Sequence, residues 1–167
     1  GPLASFESSE RLAKQLRKKG FKAIVAYPRD WEVWVPTTQV LPKEISAFGY
    51  KKRLTNLIHP VIETANTQII LNGPISIEAP DGLNFNGGRY NGPFLIQLDA
   101  YGTWTLIEKV PLEKYLYGVV PHEIGAGSPP AALAAQAVLA RTWALANSHR
   151  FKVDGYHLCS DTQCQVY

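Results

Sequence analysis

The glutamate at position 123 occupies a setting that asks for a chemical reading. In "YLYGVVPHEIGAG" it follows an apolar run and Pro121, and it opens a glycine-rich stretch. Val119, Val120, Pro121 and Ile124 would give the carboxyl apolar surroundings. Such surroundings disfavour the ionised form, so the expectation is a protonated Glu123 able to act as a general acid. The neighbouring glycines would let a substrate approach the backbone closely. An ordinary loop glutamate is the competing reading from spacing alone. His122 is expected to be exposed and not catalytic.

Two further groups carry possible chemistry. The segment "SPPAALAAQAVLARTWALAN" has few polar members, namely Gln136, Arg141, Thr142 and Asn147. A guanidinium enclosed in such a helix needs an anionic or carbonyl partner, because an unpaired buried charge is costly. Asp154, Asp161, Glu123 and an anionic substrate are the candidates. Near the C-terminus, "HLCSDTQC" sets His157, Cys159 and Cys164 within eight residues, with His149 close by. Thiolate and imidazole suit zinc, which takes four ligands, although the spacing matches no standard finger. A disulfide uses the same cysteines in an oxidising setting. A catalytic cysteine with His149 or His157 as base is the third possibility. The residues leave these three open.

These groups need elements to hold them. "PLEKYLYGVV" reads as a helix beginning at Pro111, with Leu112, Tyr115, Leu116 and Val119 facing a core. Pro121 should end it near Val120. A second helix follows, with Ser128 as N-cap and residues 131–146 apolar nearly all round, which predicts burial on most sides. Upstream, residues 68–110 read as short strands, with Asn72-Gly73 and Tyr101-Gly102 as hairpin turns. At the N-terminus, "SSERLAKQLRKKG" is an amphipathic helix capped by Ser8 or Ser9 and stopped by Gly20. "FKAIVAY" and "WEVWV" follow as strands around the turn "PRD". "LPKEISAFGYKKRLTNLI" is a second helical or mixed segment with a basic patch at Lys51, Lys52 and Arg53. The fold class is therefore α+β: a small helix-hairpin lobe and an antiparallel-rich sheet packed with a helical catalytic half.

The chain has 167 residues, 46% hydrophobic and 19% charged, which fits a globular protein rather than a disordered one. The net charge of +3 is too small to argue for nucleic acid. It suits an anionic polymer or a cell-surface setting. No apolar run approaches the length of a membrane span, roughly 18 residues.

Three motifs in order, "PLEKYLYGVVPHEI", "ALAAQAVLARTWALAN" and "YHLCSDTQCQVY", resemble the catalytic domain of the stage II sporulation protein D and amidase-enhancer family. The resemblance implies a lytic transglycosylase that cuts peptide-stripped peptidoglycan between N-acetylmuramic acid and N-acetylglucosamine, leaving a 1,6-anhydro end. It implies that Glu123 is the catalytic residue, acid then base. Arg141 falls on the motif arginine and, with Gln136, is implied to position substrate or loop. Some members build zinc on this segment. Here Gln163 stands in "TQC" where the family usually has "THC", so a structural zinc would draw on Cys159, Cys164, His157 and His149. Trp143 stands where tyrosine is usual. Family domains continue past "CQVY", which implies a companion C-terminal portion. Glycan strands and a cell-wall amidase are the implied partners, and the implied location is extracytoplasmic.

The expected organisation is a tag remnant at residues 1–5, an α+β lobe at 6–58 and the N-terminal portion of the catalytic domain at 59–167. The lobe resembles half of a SPOR peptidoglycan-binding domain. Two rival functions differ in class: a non-catalytic amidase activator or wall-binding scaffold, and a cysteine-dependent hydrolase.

Overall fold

A computed structural model describes residues 2–46, 59–63 and 65–167. The chain divides into two compact units, Gly1–Leu57 with Ala100–Gly102, and Ile58–Asp99 with Thr103–Tyr167. The basic patch at Lys51, Lys52 and Arg53 lies outside the described residues.

The first unit begins with helix α1 (Phe6–Lys18). Its cap is Ser5, not Ser8 or Ser9. Ser5 and Ser8 form a reciprocal capping box, which satisfies two backbone donors that a helix start leaves open. Phe6, Ser9, Ala13 and Leu16 form its buried face. Strands β1 (Ile24–Ala26) and β2 (Glu32–Trp34) pair antiparallel, with Val25 opposite Val33. Leu3 bridges Trp31, and the Phe6 and Trp31 rings meet edge to face at 5.2 Å. Residues 3–5, set aside in the sequence reading, thus contribute contacts to this unit. In the same unit the Tyr27 N–H donates to the Tyr101 hydroxyl at 2.7 Å. The short helix α2 (Lys43–Ser46) is the described part of the second helical segment.

The second unit is α+β, as the sequence predicts. Strand β3 (Val61–Glu63) pairs with β4 (Gln68–Ile70). Strands β5 (Ile75–Ile77), β8 (Phe94–Leu98) and β9 (Trp104–Glu108) form a three-stranded antiparallel sheet in the order β5-β8-β9. Strands β6 (Leu83–Phe85) and β7 (Gly88–Tyr90) form a separate hairpin. Tyr101-Gly102 does lie in the β8–β9 hairpin connection, closed by Asp99 N–H donating to the Thr103 carbonyl. Asn72-Gly73 does not turn a hairpin: β4 pairs with β3 and β5 with β8, so it merely separates them. The tight turn is Asn86-Gly87, between β6 and β7, where both residues have positive φ. Paired positive φ values are what a two-residue hairpin turn of this type requires.

Two helices complete the unit, α3 (Leu112–Ile124) and α4 (Pro130–Asn147). Tyr115, Leu116, Val119 and Val120 of α3 pack with Ala140 and Ala144 of α4, and Leu112 lies against that cluster. The predicted core face of α3 is therefore the observed one. Three other expectations are corrected. Helix α3 runs through Pro121 to Ile124. Pro121 lacks an N–H and forfeits the helix bond to the Tyr117 carbonyl, yet its own carbonyl still accepts the Gly125 N–H that closes the last turn. Second, α4 has Pro129 as N-cap, and the Ser128 hydroxyl turns back to donate to the Ile124 carbonyl at 2.7 Å. Third, α4 is not buried on most sides. Small alanines face α3, while Val138, Leu139 and Leu145 are 58%, 64% and 61% exposed.

Candidate active site

Glu123 lies in the last turn of α3, and this turn sets its surroundings. Val119 and Val120 lie in the α3–α4 core just before Pro121, and the turn that follows leaves Glu123 exposed. The expected apolar enclosure of the carboxyl is therefore not formed. Its Oε1 accepts the Val166 N–H at 3.3 Å. The helix ends at Gly125, whose N–H donates to the Pro121 carbonyl at 2.9 Å and whose φ of 85° suits glycine. A side chain built at Gly125 or Gly127 would meet nothing within 4 Å, so the space beside Glu123 is open. His122 is exposed, as expected, and its Nδ1 lies 2.6 Å from the Gly118 carbonyl.

Arg141 has a partner that none of the sequence candidates supplied. Its Nε and Nη2 bond the two oxygens of Glu113 at 2.8 and 2.7 Å, a fork joining α4 to the first turn of α3. The fork holds the Glu113 carboxyl below its ordinary pKa, chiefly through the hydrogen bond. The side chains are 35% and 66% exposed. The pair is thus not a buried charge, because the α4 face that carries Arg141 is itself open. Gln136 is half-buried on α4.

Cys159 and Cys164 are joined as a disulfide. No thiol is free, so in this form the chain has no cysteine nucleophile. Among the described residues no three His, Cys, Asp or Glu side chains gather as a metal site. With the sulfurs bonded to each other, Cys159, Cys164, His157 and His149 do not assemble the four-ligand set that zinc takes.

The final residues of the chain connect α3 to a cavity. Tyr167 lies on α3: its ring centroid is 4.9 Å from that of Tyr115. A Cβ at Gly118 would come within 2.8 Å of the Tyr167 ring, so only glycine admits this approach. The buried Tyr115 hydroxyl donates to the Gln165 side chain at 3.3 Å. Beyond Tyr167 opens a cavity of about 320 Å³. Its walls include Phe85, Tyr90, Tyr156 and Tyr167, with Glu108 and Asp161. Glu123 is not among its lining residues. Glu108 is heavily committed. Its Oε1 accepts Asn91 N–H at 3.1 Å and Gly92 N–H at 3.0 Å, and its Oε2 accepts the Tyr167 hydroxyl at 3.2 Å.

The comparisons with known proteins fall on this half of the chain. Residues 100–167 match the family model described as stage II sporulation protein. That stretch belongs to the stage II sporulation protein D family. It holds Glu123, Arg141 and both cysteines. A further relative is an uncharacterized protein of Brachyspira hyodysenteriae (strain ATCC 49526 / WA1), 31% identical over 153 residues, covering 81% of this chain. The chain spans 40% of that relative's length. No solved structure matches the chain.

The sequence reading missed Glu113 and the Glu108 cavity. Glu113 lies 28 residues from Arg141, and no local periodicity links them. Glu108 did leave a trace. It shares a strand face with Leu106 in "WTLIE", and a carboxylate at an inward position of a strand needs donors.

Proposed function

We propose that the protein cleaves the glycan strands of peptidoglycan by lytic transglycosylation, with Glu123 as the single acid and base. The observation that carries this reading is the position of Glu123. It is an exposed carboxyl inside the family-matched segment, at a helix end, with open space at Gly125 and Gly127 beside it. A polymer can reach such a group without a lid having to open.

The chemistry needs one carboxyl. In the fraction of molecules whose Glu123 carboxyl carries a proton, that proton passes to the glycosidic oxygen between N-acetylmuramic acid and N-acetylglucosamine. The bond from the muramic C1 to that oxygen breaks, and the leaving sugar departs with a free hydroxyl. The muramic acid's own 6-hydroxyl oxygen attacks C1 and closes the 1,6-anhydro ring. Its proton passes to the Glu123 carboxylate, which restores the acid. An intramolecular nucleophile replaces the second carboxylate that glycoside hydrolases use. Arg141 is read as a positioning residue. Its fork to Glu113 fixes the start of α3 against α4, and Glu123 stands at the other end of α3. The reading implies an extracytoplasmic site of action, where the wall polymer lies, and a preference for peptide-stripped glycan.

The test is digestion of purified, peptide-free glycan with the wild type and Glu123→Gln, analysed for anhydromuramyl ends. Removal of a general acid–base lowers the rate by about 10²–10⁴-fold. Anhydro ends at the wild-type rate from the variant would remove Glu123 from the mechanism.

One observation favours a second reading, a non-catalytic activator or wall-binding scaffold. The exposed Val138, Leu139 and Leu145 give α4 an apolar surface of the kind that protein partners cover. A cell-wall amidase or a companion fragment is the partner this reading implies. It predicts no anhydro ends from wild-type protein on any glycan, together with faster amidase turnover on whole wall when the protein is added.

A further inference from the structure

Asparagine or aspartate stands directly before glycine at five places: Asn72-Gly73, Asp81-Gly82, Asn86-Gly87, Asn91-Gly92 and Asp154-Gly155. In such a pair the glycine nitrogen can attack the preceding side-chain carbonyl carbon and close a five-membered ring, because glycine brings no side chain to obstruct it. The nitrogen must first give up its proton and any hydrogen bond that it makes. The fold occupies it in three of the five pairs. Gly82 N–H donates to the Ala79 carbonyl at 2.8 Å, and Gly155 N–H to the Lys152 carbonyl at 3.3 Å. Gly92 N–H donates to Glu108 Oε1 at 3.0 Å, and Asn91 N–H shares that oxygen. Among the described residues, Gly73 N–H and Gly87 N–H have no acceptor. These two pairs differ in their backbone. Asn86 and Gly87 have φ of 48° and 82°, and the pairing of Phe85 with Gly88 frames them between β6 and β7. Ring closure needs the backbone to swing out of that turn. Asn72-Gly73 has no such frame, because the strands on its two sides pair elsewhere. Asn72 is exposed, and a Cβ at Gly73 would meet nothing within 4 Å.

We propose that Asn72 is a self-modification site of the folded protein, converted to aspartate and isoaspartate with water as the only co-reactant, and that Glu108 shields Asn91 from the same reaction. The Gly73 nitrogen loses its proton to solvent and bonds to Asn72 Cγ. The Cγ–Nδ2 bond breaks, and Nδ2 takes up a proton and leaves as ammonia. Water then opens the succinimide ring. Attack at Cγ breaks the new bond and leaves aspartate. Attack at the main-chain carbonyl carbon of residue 72 breaks its bond to Gly73 and leaves isoaspartate, with the chain running through the former side chain. No electrons are exchanged: one amide and one water become one carboxyl and one ammonia. The attacking nitrogen is deprotonated, so the rate rises with pH. Either product lowers the net charge of +3 by one. Isoaspartate also inserts a methylene into the main chain directly after Leu71, which is buried and whose N–H donates to the Pro60 carbonyl at 2.9 Å. The change therefore falls on the link between β4 and β5. This site does not depend on the glycan-cleaving reading.

The experiment incubates the intact chain at neutral and at mildly alkaline pH, with and without urea. After digestion, the peptides holding Asn72, Asn86 and Asn91 are followed by mass and by enzymatic methylation of isoaspartate. In the native protein Asn72 should convert first, and faster at the higher pH. Asn86 and Asn91 should lag on the order of tenfold or more, since each needs a local opening before it can react. In urea the three rates should converge. Asn72→Gln should remove the early product and leave the other two sites as they were. Glu108→Ala, checked for folding by circular dichroism, should speed Asn91 and leave Asn72 at its wild-type rate. A native Asn86 or Asn91 that converts as fast as Asn72 overturns the proposal. So does a native Asn72 that stays intact while the urea-unfolded chain reacts. A folded Glu108→Ala in which Asn91 stays slow removes the shield. Should that variant not fold, amide hydrogen exchange of the wild type decides the same point. The Gly92 amide should exchange more slowly than the Gly73 amide by about tenfold or more, and equal exchange removes the shield.

Discussion

Glu108 and Glu123 are both contacted by the last residues of the chain, and the fold treats them in opposite ways. Glu108, at the end of β9, spends three acceptor positions on Asn91, Gly92 and Tyr167. Glu123, at the end of α3, accepts one N–H at 3.3 Å and is exposed. A carboxylate has about four lone-pair sites. One that is nearly saturated by the protein is a fixture, holding a loop and presenting a charge. One with most of its sites open is available to a reactant. Position in a cavity alone would single out Glu108, the carboxylate with fewer sites left open.

Mutation can break that contrast. Glu123→Gln should show the largest effect, the about 10²–10⁴-fold loss of anhydro-end formation, with thermal midpoint unmoved because the side chain is exposed. Glu108→Ala should do the reverse to the fold. It leaves two backbone donors and a tyrosine hydroxyl unpaired in half-buried surroundings. Hydrogen bonds to a charged group contribute about 1.5–3 kcal/mol each and do not add fully, so a loss of about 3 kcal/mol is expected in urea denaturation. If Glu108→Ala were neutral and Glu123→Gln unfolded the protein, the assignment of fixture and reagent would be inverted.

The disulfide sharpens the same comparison from the cavity side. Cys159 lines the cavity and closes a short loop with Cys164. For so short a loop the chain-entropy account gives about 2 kcal/mol. Cys159→Ser should therefore lower stability by about that amount. Cleavage by the folded fraction should persist, since Glu123 lies outside the loop. Loss of all cleavage at full folding would return a cysteine to the chemistry.

Much of this arrangement was legible in the sequence, and the failures have common causes. The core face of α3 followed from Leu112, Tyr115, Leu116 and Val119 because the 3.6-residue period is local information. The β8–β9 turn at Tyr101-Gly102 was legible for the same reason. Asn72-Gly73 misled because a turn dipeptide makes a hairpin only if its flanking strands pair with each other, and here each pairs elsewhere. Pro121 misled because proline removes one helix donor without forbidding continuation, and the Gly125 N–H still closes the last turn on the Pro121 carbonyl. Composition showed that α4 is apolar nearly all round, but the exposure of Val138, Leu139 and Leu145 depends on what covers the helix. Arg141 then followed the same error: a helix thought to be enclosed demanded a buried partner, and an open one allowed Glu113. The cysteines could not be resolved, since metal, thiol and disulfide use the same two sulfurs.

The smallest predicted effect reads the contrast most directly, because each glutamate has its own tyrosine reporter. Burial raises the Tyr115 hydroxyl to about 12, with the charge of Glu123 adding to the shift. Burial also raises Tyr167 to about 12, with Glu108 adding through its charge and its hydrogen bond. In the unfolded chain both ionise near 10, so between pH 10 and 12 the native state holds more protons. Stability contributed by the neutral tyrosines is then present below pH 10 and lost as pH rises toward 12. Ultraviolet titration of tyrosinate should show two late-ionising rings in the wild type. Glu123→Gln should advance one of them and leave the other, while Glu108→Gln should advance the other. The shift in Tyr115 should be the smaller, since Glu123 acts on it through space and Glu108 bonds Tyr167 directly. Equal advances from both variants on both rings would mean that Gln165, Val166 and Tyr167 do not separate the two carboxylates.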